Sequence, residues 1–492
     1  MKNTRVLKTV AILTIFYFAA SVISPAQTFT TLLSFDKTDY LPGDLVQGRN
    51  GSFYSISGFG GTNAEGSVIE ISDQNVSTVY NFCSLTNCTD GAYPQVGVLM
   101  GTDGNFYGTT FEGGNSTCKG CGSGSVFKVT PTGKLTNLYD FCSLAKCADG
   151  FNPEAKLMQA SNGVFLGTTY YGGTNPGPYN VGYGTLFEIT SSGKFTSLYS
   201  FCSQTNCTDG SHPHWVPIQA TNGNIYGTTY WGGANNSGTV FSLGHTGQFT
   251  SMYSFTQPSG STFTSGPLIL MQATNGSLYG TTSYGGTNAQ GTIFKITTSG
   301  AFTNLYTFCS LSNCADGTGP TSLIEGPDGN FYGTTFGGGT GLPVCGGLAC
   351  GTIFKLTPSG TLTTLYDFCA ETSSCPDGTG PLALLLATNG TLYGTTQGGG
   401  TSGDGTLFSL STSFSPFVQT NPNVGKAGQS IGILGNDLTG TTSVTFNGTA
   451  ATFTVVSSSF LRTTVPAGAK TGPIHVTTPS GTLKSIVSFQ VN

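Results

Sequence analysis

The feature that most limits what this chain can fold into is a unit repeated seven times. Its clearest mark is an Asn/Asp-Gly pair followed closely by an aromatic residue and Gly-Thr-Thr, as in Asp103-Gly104-Asn105-Phe106-Tyr107-Gly108-Thr109-Thr110. The aligned position falls at Tyr54, Tyr107, Leu166, Tyr226, Tyr279, Tyr332 and Tyr393, with spacings of 53 to 61 residues; the first copy is degenerate. A second element, of the form Gly-Thr-x-Phe, begins at Gly66, Gly124, Gly184, Gly238, Gly291, Gly351 and Gly405. A third, of the form Phe-Thr-x-Leu-Tyr-x-Phe, opens at Phe29, Val76, Leu135, Phe195, Phe249, Phe302 and Leu362. All three alternate with period two, the pattern of a half-buried strand. One more short apolar run, such as Leu157-Met158-Gln159-Ala160, precedes each Asn/Asp-Gly pair. Such pairs favour two-residue hairpin turns, because both central residues tolerate positive φ. Each unit therefore reads as four short antiparallel strands, a to d in chain order.

The phase of the repeat adds a closure condition. The chain enters on a d strand, Phe29 to Phe35, and leaves the repeats on a c strand, Gly405 to Ser411. The last unit lacks its d strand, and the first strand of the chain is spare. Pairing the two would remove edges that a linear array exposes. The expectation is an all-β protein: a seven-bladed β-propeller over residues 27–412, closed by its N-terminal strand, in preference to a β-solenoid.

The flanks differ from the repeats. Lys2, Arg5 and Lys8 precede a thirteen-residue, largely apolar run from Val10 to Val22, and Ser24-Pro25-Ala26 offers small residues for cleavage. Residues 1–26 thus read as a secretory signal. The run is shorter than the roughly 20 residues a membrane span needs, so no transmembrane segment is expected in the mature chain. Residues 413–492 carry neither the repeat nor cysteine and suit a small β-sandwich. Beyond residue 26 there are 14 Lys+Arg against 22 Asp+Glu, a net of -8 that gives no basic footprint for nucleic acid. Charged residues are only 8% of the chain, yet 34 Phe and 21 Tyr supply the apolar area of a folded protein.

All fourteen cysteines fall in close pairs: Cys83/Cys88, Cys118/Cys121, Cys142/Cys147, Cys202/Cys207, Cys309/Cys314, Cys345/Cys350 and Cys369/Cys375. Beside a secretory signal this predicts local disulfides. The rival, zinc held by Cys118-x-x-Cys121 and another pair, would need thiolates kept reduced outside the cytoplasm.

Taken together, Tyr-Gly-Thr-Thr-x-x-Gly-Gly, Gly-Thr-x-Phe-Lys-Ile-Thr and Leu-Tyr-x-Phe resemble the bacterial GloVer tandem repeat over about residues 29–411. The resemblance implies an exported protein, often with a C-terminal anchor, and transfers no catalytic residue; no sorting or anchoring tail is evident here. Gly428 to Gly435, Phe446-Asn447-Gly448, Val465-Pro466 and Ile474 to Thr478 resemble the IPT/TIG immunoglobulin-like fold, which implies a spacer or binding module.

In a propeller, d-to-a and b-to-c connections share one face. Here that face has every cysteine pair and every long loop, so function is expected there. Phe59, Tyr171, Trp231 and Tyr284 stand before Gly-Gly in the b-to-c loops, and Trp215 shares a unit with Trp231. These five are the candidate binding residues, since aromatics stack on sugar rings or anchor protein partners; packing between units is the competing role. Asp90, Asp149, Asp209, Asp316 and Asp377 each precede a Gly before strand a, which would suit either a calcium-binding ring or an Asx turn in each loop. Calcium is the one cofactor considered. Gln47, Met100, Gln159, Gln219, Gln272, Glu325 and Leu386 share one position in strand a and would line a channel. His212-Pro213-His214 offers two metal ligands without a third. The function expected is a secreted or cell-surface binding or structural protein that recognises an extracellular glycan or surface protein. The alternative is a carbohydrate- or lactone-active propeller enzyme, a hydrolase or lyase using Glu325 and the loop aspartates.

Overall fold

The computed structural model describes residues 27–36, 43–72, 75–114, 122–177, 181–257, 266–341, 345 and 350–492. The secretory signal and the Cys118/Cys121 pair lie outside the described residues. The repeats form seven antiparallel sheets in the strand order a-b-c-d, the first being Val46–Gln47, Phe53–Ser57, Ser67–Ser72 and Asn75–Asn81. In the second sheet strand a comes in two pieces, Ala92–Pro94 and Leu99–Met100, both paired with Phe106–Glu112. The seventh sheet, Thr379–Leu386, Leu392–Gly398 and Thr406–Leu410, takes its fourth strand from the other end of the chain: Phe29–Ser34 pairs antiparallel with Thr406–Leu410, from Phe29↔Leu410 to Ser34↔Thr406.

Three recurring contacts between successive sheets explain the motifs. First, the aromatic residue opening strand d stacks on the Tyr of the preceding sheet's strand d. Phe195 lies 4.1 Å from Tyr139, Phe249 4.0 Å from Tyr199, Phe302 3.8 Å from Tyr253, and Phe29 3.8 Å from Tyr366. Phe29 thereby meets the sixth sheet as a d-strand residue of the seventh would. Second, the Gly of Gly-Thr-x-Phe sits at positive φ against the next sheet's proline. At Gly184 (φ +94) an added Cβ would fall 2.4 Å from the Thr169 carbonyl oxygen and 2.6 Å from Pro213. Pro94, Pro153, Pro267, Pro320 and Pro381 approach their own glycines as closely. Only a residue without Cβ fits there.

The third contact corrects the expectation for the aligned glutamines. They do not simply line a channel but stitch each sheet to the turn of the one before. Gln159 accepts from the Thr102 amide (2.9 Å), Gln219 from Ser161 (2.8 Å) and Gln272 from Thr221 (2.8 Å). Glu325 takes the Thr274 amide and hydroxyl, each at 2.7 Å. Gln47 of the first sheet accepts from Thr388 of the seventh at 3.1 Å and donates to its hydroxyl at 3.1 Å. At the remaining two seams the aligned positions hold Met100 with Arg49 and Leu386 with Pro327; Arg49 instead donates across its seam to the Thr102 and Asp103 carbonyls at 2.6 and 3.1 Å.

Residues from Val418 onward form two four-stranded sheets. One contains Gln419–Asn421, Ser430–Leu434, Phe460–Thr464 and Phe453–Ser457; the other contains Thr449–Ala450, Ser443–Phe446, Ile474–Thr478 and Gly481–Lys484. Ile431, Ile433 and Leu461 of one meet Val444, Phe446, Ile474 and Val476 of the other in a shared core, which makes a sandwich. The sandwich docks on the turn side of the repeats, over the two seams without a Gln or Glu stitch. Leu434 and Phe460 join the buried cluster of Tyr54, Met100 and Phe106, and the Arg49 guanidinium lies 4.5 Å over the Phe460 ring. The Arg49 carbonyl accepts from Ser457 (3.0 Å) and Ser459 (2.8 Å), and Asn421 donates to the Met100 carbonyl (3.1 Å). At the other seam Phe414 packs between Gly326 and Gly390, 5.5 Å from the Tyr332 ring.

Candidate functional site

The face opposite the docked sandwich carries the cysteine loops. Disulfides join Cys83–Cys88, Cys142–Cys147, Cys202–Cys207, Cys309–Cys314, Cys345–Cys350 and Cys369–Cys375. Cys350, Cys369 and Cys375 have sulfurs within 4.8 Å of one another, but each is in a disulfide and offers no thiolate. The five aspartates do not converge. Each carboxylate folds back into its own loop: Asp209 accepts from the Tyr199 hydroxyl (2.7 Å), the Ser203 amide (2.8 Å) and the Gln204 amide (3.2 Å). Asp90, Asp149 and Asp316 repeat the pattern, and Asp377 accepts from Tyr366 and the Cys369 amide. These contacts are those of a loop brace. Glu325, engaged with Thr274 at the opposite turns, is likewise not brought to this face.

Just past each aspartate, and at Gly266 in the loop that has none, the residue before the seam proline is left-handed: Tyr93 (φ 52), Asn152 (51), His212 (54), Gly266 (51), Gly319 (58) and Gly380 (58). Its amide latches onto the preceding sheet, as His212 does on the Tyr183 carbonyl (2.7 Å) and Gly319 on Gln290 (2.8 Å). Glycine takes this conformation without cost; a bulky side chain there costs on the order of 1–3 kcal/mol. Asn152 uses its side chain to finish the latch, donating to the Phe111 and Gly122 carbonyls at 2.8 and 2.9 Å. The Tyr93 hydroxyl engages Glu65. His212 makes no such bond with its ring.

The His212 ring faces an aromatic basin built by the third and fourth sheets. Tyr170, Tyr171 and Tyr183 surround it at centroid distances of 4.9, 5.5 and 5.7 Å. His214, two residues on and on the same side of the extended chain, lies 5.6 Å from Tyr170, 6.1 Å from Tyr230 and 5.5 Å from Trp215. Trp231 packs on Tyr230 at 5.3 Å, and Tyr171 on Phe151 at 5.2 Å. All these side chains are half-buried, as expected of walls and not of a core.

The electrostatics are set by few charges. The His214 Nε2 lies 2.6 Å from Glu154 Oε2, which places a proton on Nε2. Burial pushes His212 down from 6.5 to about 4, with Glu154 pulling the other way, so it is uncharged near neutral pH. Two residues beyond Glu154, Lys156 reaches Asp44 of the first sheet at 3.9 Å. Burial raises the Asp44 carboxyl above its usual range, and Lys156 opposes that. Burial also raises the Tyr170 hydroxyl, offset in part by the neighbouring Trp231. Among the described residues seven buried side-chain nitrogen or oxygen atoms have no hydrogen-bonding partner, and three are here: His212 Nδ1, His214 Nδ1 and Trp215 Nε1. Buried polar atoms normally find partners, and three that do not are gathered in this one cluster of rings.

Of the five aromatic candidates, Tyr171, Trp215 and Trp231 belong to this basin. Phe59 lies on the first sheet, 44% exposed and 5.4 Å from Tyr93; Tyr284 is half-buried on the fifth. The sequence reading missed Tyr170, Tyr230, Tyr183 and Glu154. Tyr170 and Tyr230 directly follow Gly-Thr-Thr, so a search one position earlier than the residue before Gly-Gly would have found both.

Seven four-stranded sheets, local disulfides and a loop-side basin define an all-β tandem-repeat protein with a propeller-like fold. A model of the Gloeobacter/Verrucomicrobia repeat matches residues 14–214, 147–341 and 218–456, and the chain belongs to that family. Among curated proteins, none matches. Solved structures share the fold at low identity. A streptogramin B lyase structure aligns with a TM-score of 0.51 and 13% identity, covering 78% of this chain and 97% of that one. The extracellular domain of a hybrid two-component system from B. thetaiotaomicron aligns with a TM-score of 0.53 and 10% identity, covering 92% of this chain and 46% of that one. No helix among the described residues is long and apolar enough to cross a membrane.

Proposed function

We propose that the seven sheets are blades of a closed propeller, 27–412, capped on its turn face by an IPT/TIG-type immunoglobulin-like domain, 413–492, and that the protein is an exported, extracellular receptor for a glycan. The Gln47–Thr388 contact and the pairing of Phe29–Ser34 with Thr406–Leu410 support closure. The disulfides, and the secretory signal read in residues 1–26, support an oxidising, extracellular setting. The ligand site in this reading is the basin at the mouth of blades three and four. Flat aromatic walls take the C–H face of a sugar ring, and polar nitrogens between them take its hydroxyls. The observation that carries it is His212: a left-handed histidine where three other blades have glycine, with Tyr170, Tyr171 and Tyr183 about its ring.

Titration of the full chain with a panel of cell-wall oligosaccharides tests this. Binding should appear for at least one member and weaken about tenfold or more, ~1.4 kcal/mol, in Trp231→Ala and Tyr171→Ala. Phe59→Ala, remote from the basin, should leave it unchanged. A panel with no binder, or one insensitive to Trp231, would sink the reading.

A further inference from the structure

Within the glycan reading, on which this step rests, the geometry points to a cationic ligand: an amino sugar whose free ammonium group lies among the basin's tyrosine and tryptophan faces and against Glu154. Three observations lead there. Lys156, two residues from Glu154, is already engaged with Asp44 at 3.9 Å. Among the described residues Glu154 has one ion-pair partner, His214 on Oε2. Second, the site is rich in aromatic rings. The protein's own cation–π pairs, Arg49 on Phe460, Lys295 on Tyr279 and Lys355 on Tyr332, all lie outside the basin among the described residues, although the basin is dense in electron-rich rings. An ammonium group over such faces gains about 0.5–2 kcal/mol, depending on how far it is desolvated.

Third, the sign of the surroundings favours a cation. An acidic sugar would instead meet Glu154 and Asp44 as like charges. The formal charge of -5 on the whole chain adds a long-range attraction for cationic oligomers.

The test is calorimetric titration of the full chain with three tetrasaccharides of equal length: glucosamine with free amines, N-acetylglucosamine, and glucose. It is run at about pH 7, above the ordinary histidine range and below that in which amines lose their proton. The free-amine oligomer should bind about tenfold or more tightly than the other two. Glu154→Gln should erase that preference, bringing the free-amine oligomer to the affinity of the N-acetylated one; Glu154→Asp should keep it. Glu371→Gln, on a distant exposed loop, should not alter it. Thermal unfolding of each variant separates loss of binding from loss of fold. Equal affinity for the three oligomers, or a preference that survives Glu154→Gln or vanishes in Glu371→Gln, overturns the cationic assignment while leaving the glycan reading in place. Failure of all three to bind folded wild-type protein overturns the glycan reading itself.

Discussion

Two kinds of seam join the sheets of the repeat. Five are stitched by a Gln or Glu reaching the turn of the preceding sheet, and two are not. At one of the two, donor and acceptor are lost together; at the other, the stitch runs the opposite way. Where the turn has Pro327, which carries no N–H, the aligned residue is Leu386. Where it has Arg49, the aligned residue is Met100, and the Arg49 guanidinium reaches the Thr102 and Asp103 carbonyls of the second sheet at 2.6 and 3.1 Å. A lone Gln at the Leu386 position would bring a polar group to the seam without the partner it has elsewhere. Both seams lie under the C-terminal sandwich or its linker, which adds Phe460, Ser457 and Ser459 at Arg49 and Phe414 at the other seam. The repeat thus uses one stitch where it is regular, and the C-terminal domain packs where that stitch is reversed or absent.

Perturbing the two kinds of seam should separate them. The largest effect is expected from Phe460→Ala. This buried ring ties the sandwich to the first and second sheets, and its loss should cost about 3–5 kcal/mol in denaturant unfolding, with hydrogen exchange rising at Met100 and Phe106. Gln219→Ala, at a stitched seam, removes hydrogen bonds to Ser161 and Gly223 and should cost about 1–2 kcal/mol, with no change in how the sandwich docks. Smaller still is the coupling from installing a stitch. Pro327→Thr and Leu386→Gln should each be neutral or destabilising alone, and together recover about 1 kcal/mol in a double-mutant cycle. Additive behaviour there would show that the missing stitches are incidental.

The loop face allows a matching comparison with pH. His212 is held neutral in the folded protein, down to about pH 4, whereas unfolded histidine protonates near 6.5. Between those values the unfolded state binds the extra proton, so stability should fall as pH is lowered from 6.5 toward 4 and level off below. In His212→Asn that part of the slope should disappear. The braced aspartates predict the opposite kind of result: chelation of divalent ions should leave the melting temperature unchanged, because their oxygens are engaged by Tyr, Ser and backbone donors.

Much of this architecture was legible in residue order. The repeat gave four strands per unit, and its phase sent Phe29–Ser34 to the edge of Thr406–Leu410, because an apolar strand with an open edge needs a partner. Close cysteine pairs gave the disulfides, since so few residues separate the partners. What a side chain faces was less legible. A Gln in strand a can point along the sheet or across a seam, and only the neighbouring turn at Thr102 or Thr388 decides. The basin was half seen for a similar reason. Tyr171 and Trp231 advertised themselves before Gly-Gly, while Glu154 is far in sequence from the His214 it contacts. The left-handed backbone at His212 had a clue in Gly319-Pro320 and Gly380-Pro381, glycines at the aligned place.

That alignment also supplies the most direct test. His212→Gly gives the fourth sheet the residue that three others use, removing left-handed strain and the idle ring together. Unfolding and oligosaccharide titration of this one variant should show stability held or raised by about 1 kcal/mol and binding weakened about tenfold or more. A variant that binds as well as wild type would contradict the assignment of the basin as the ligand site.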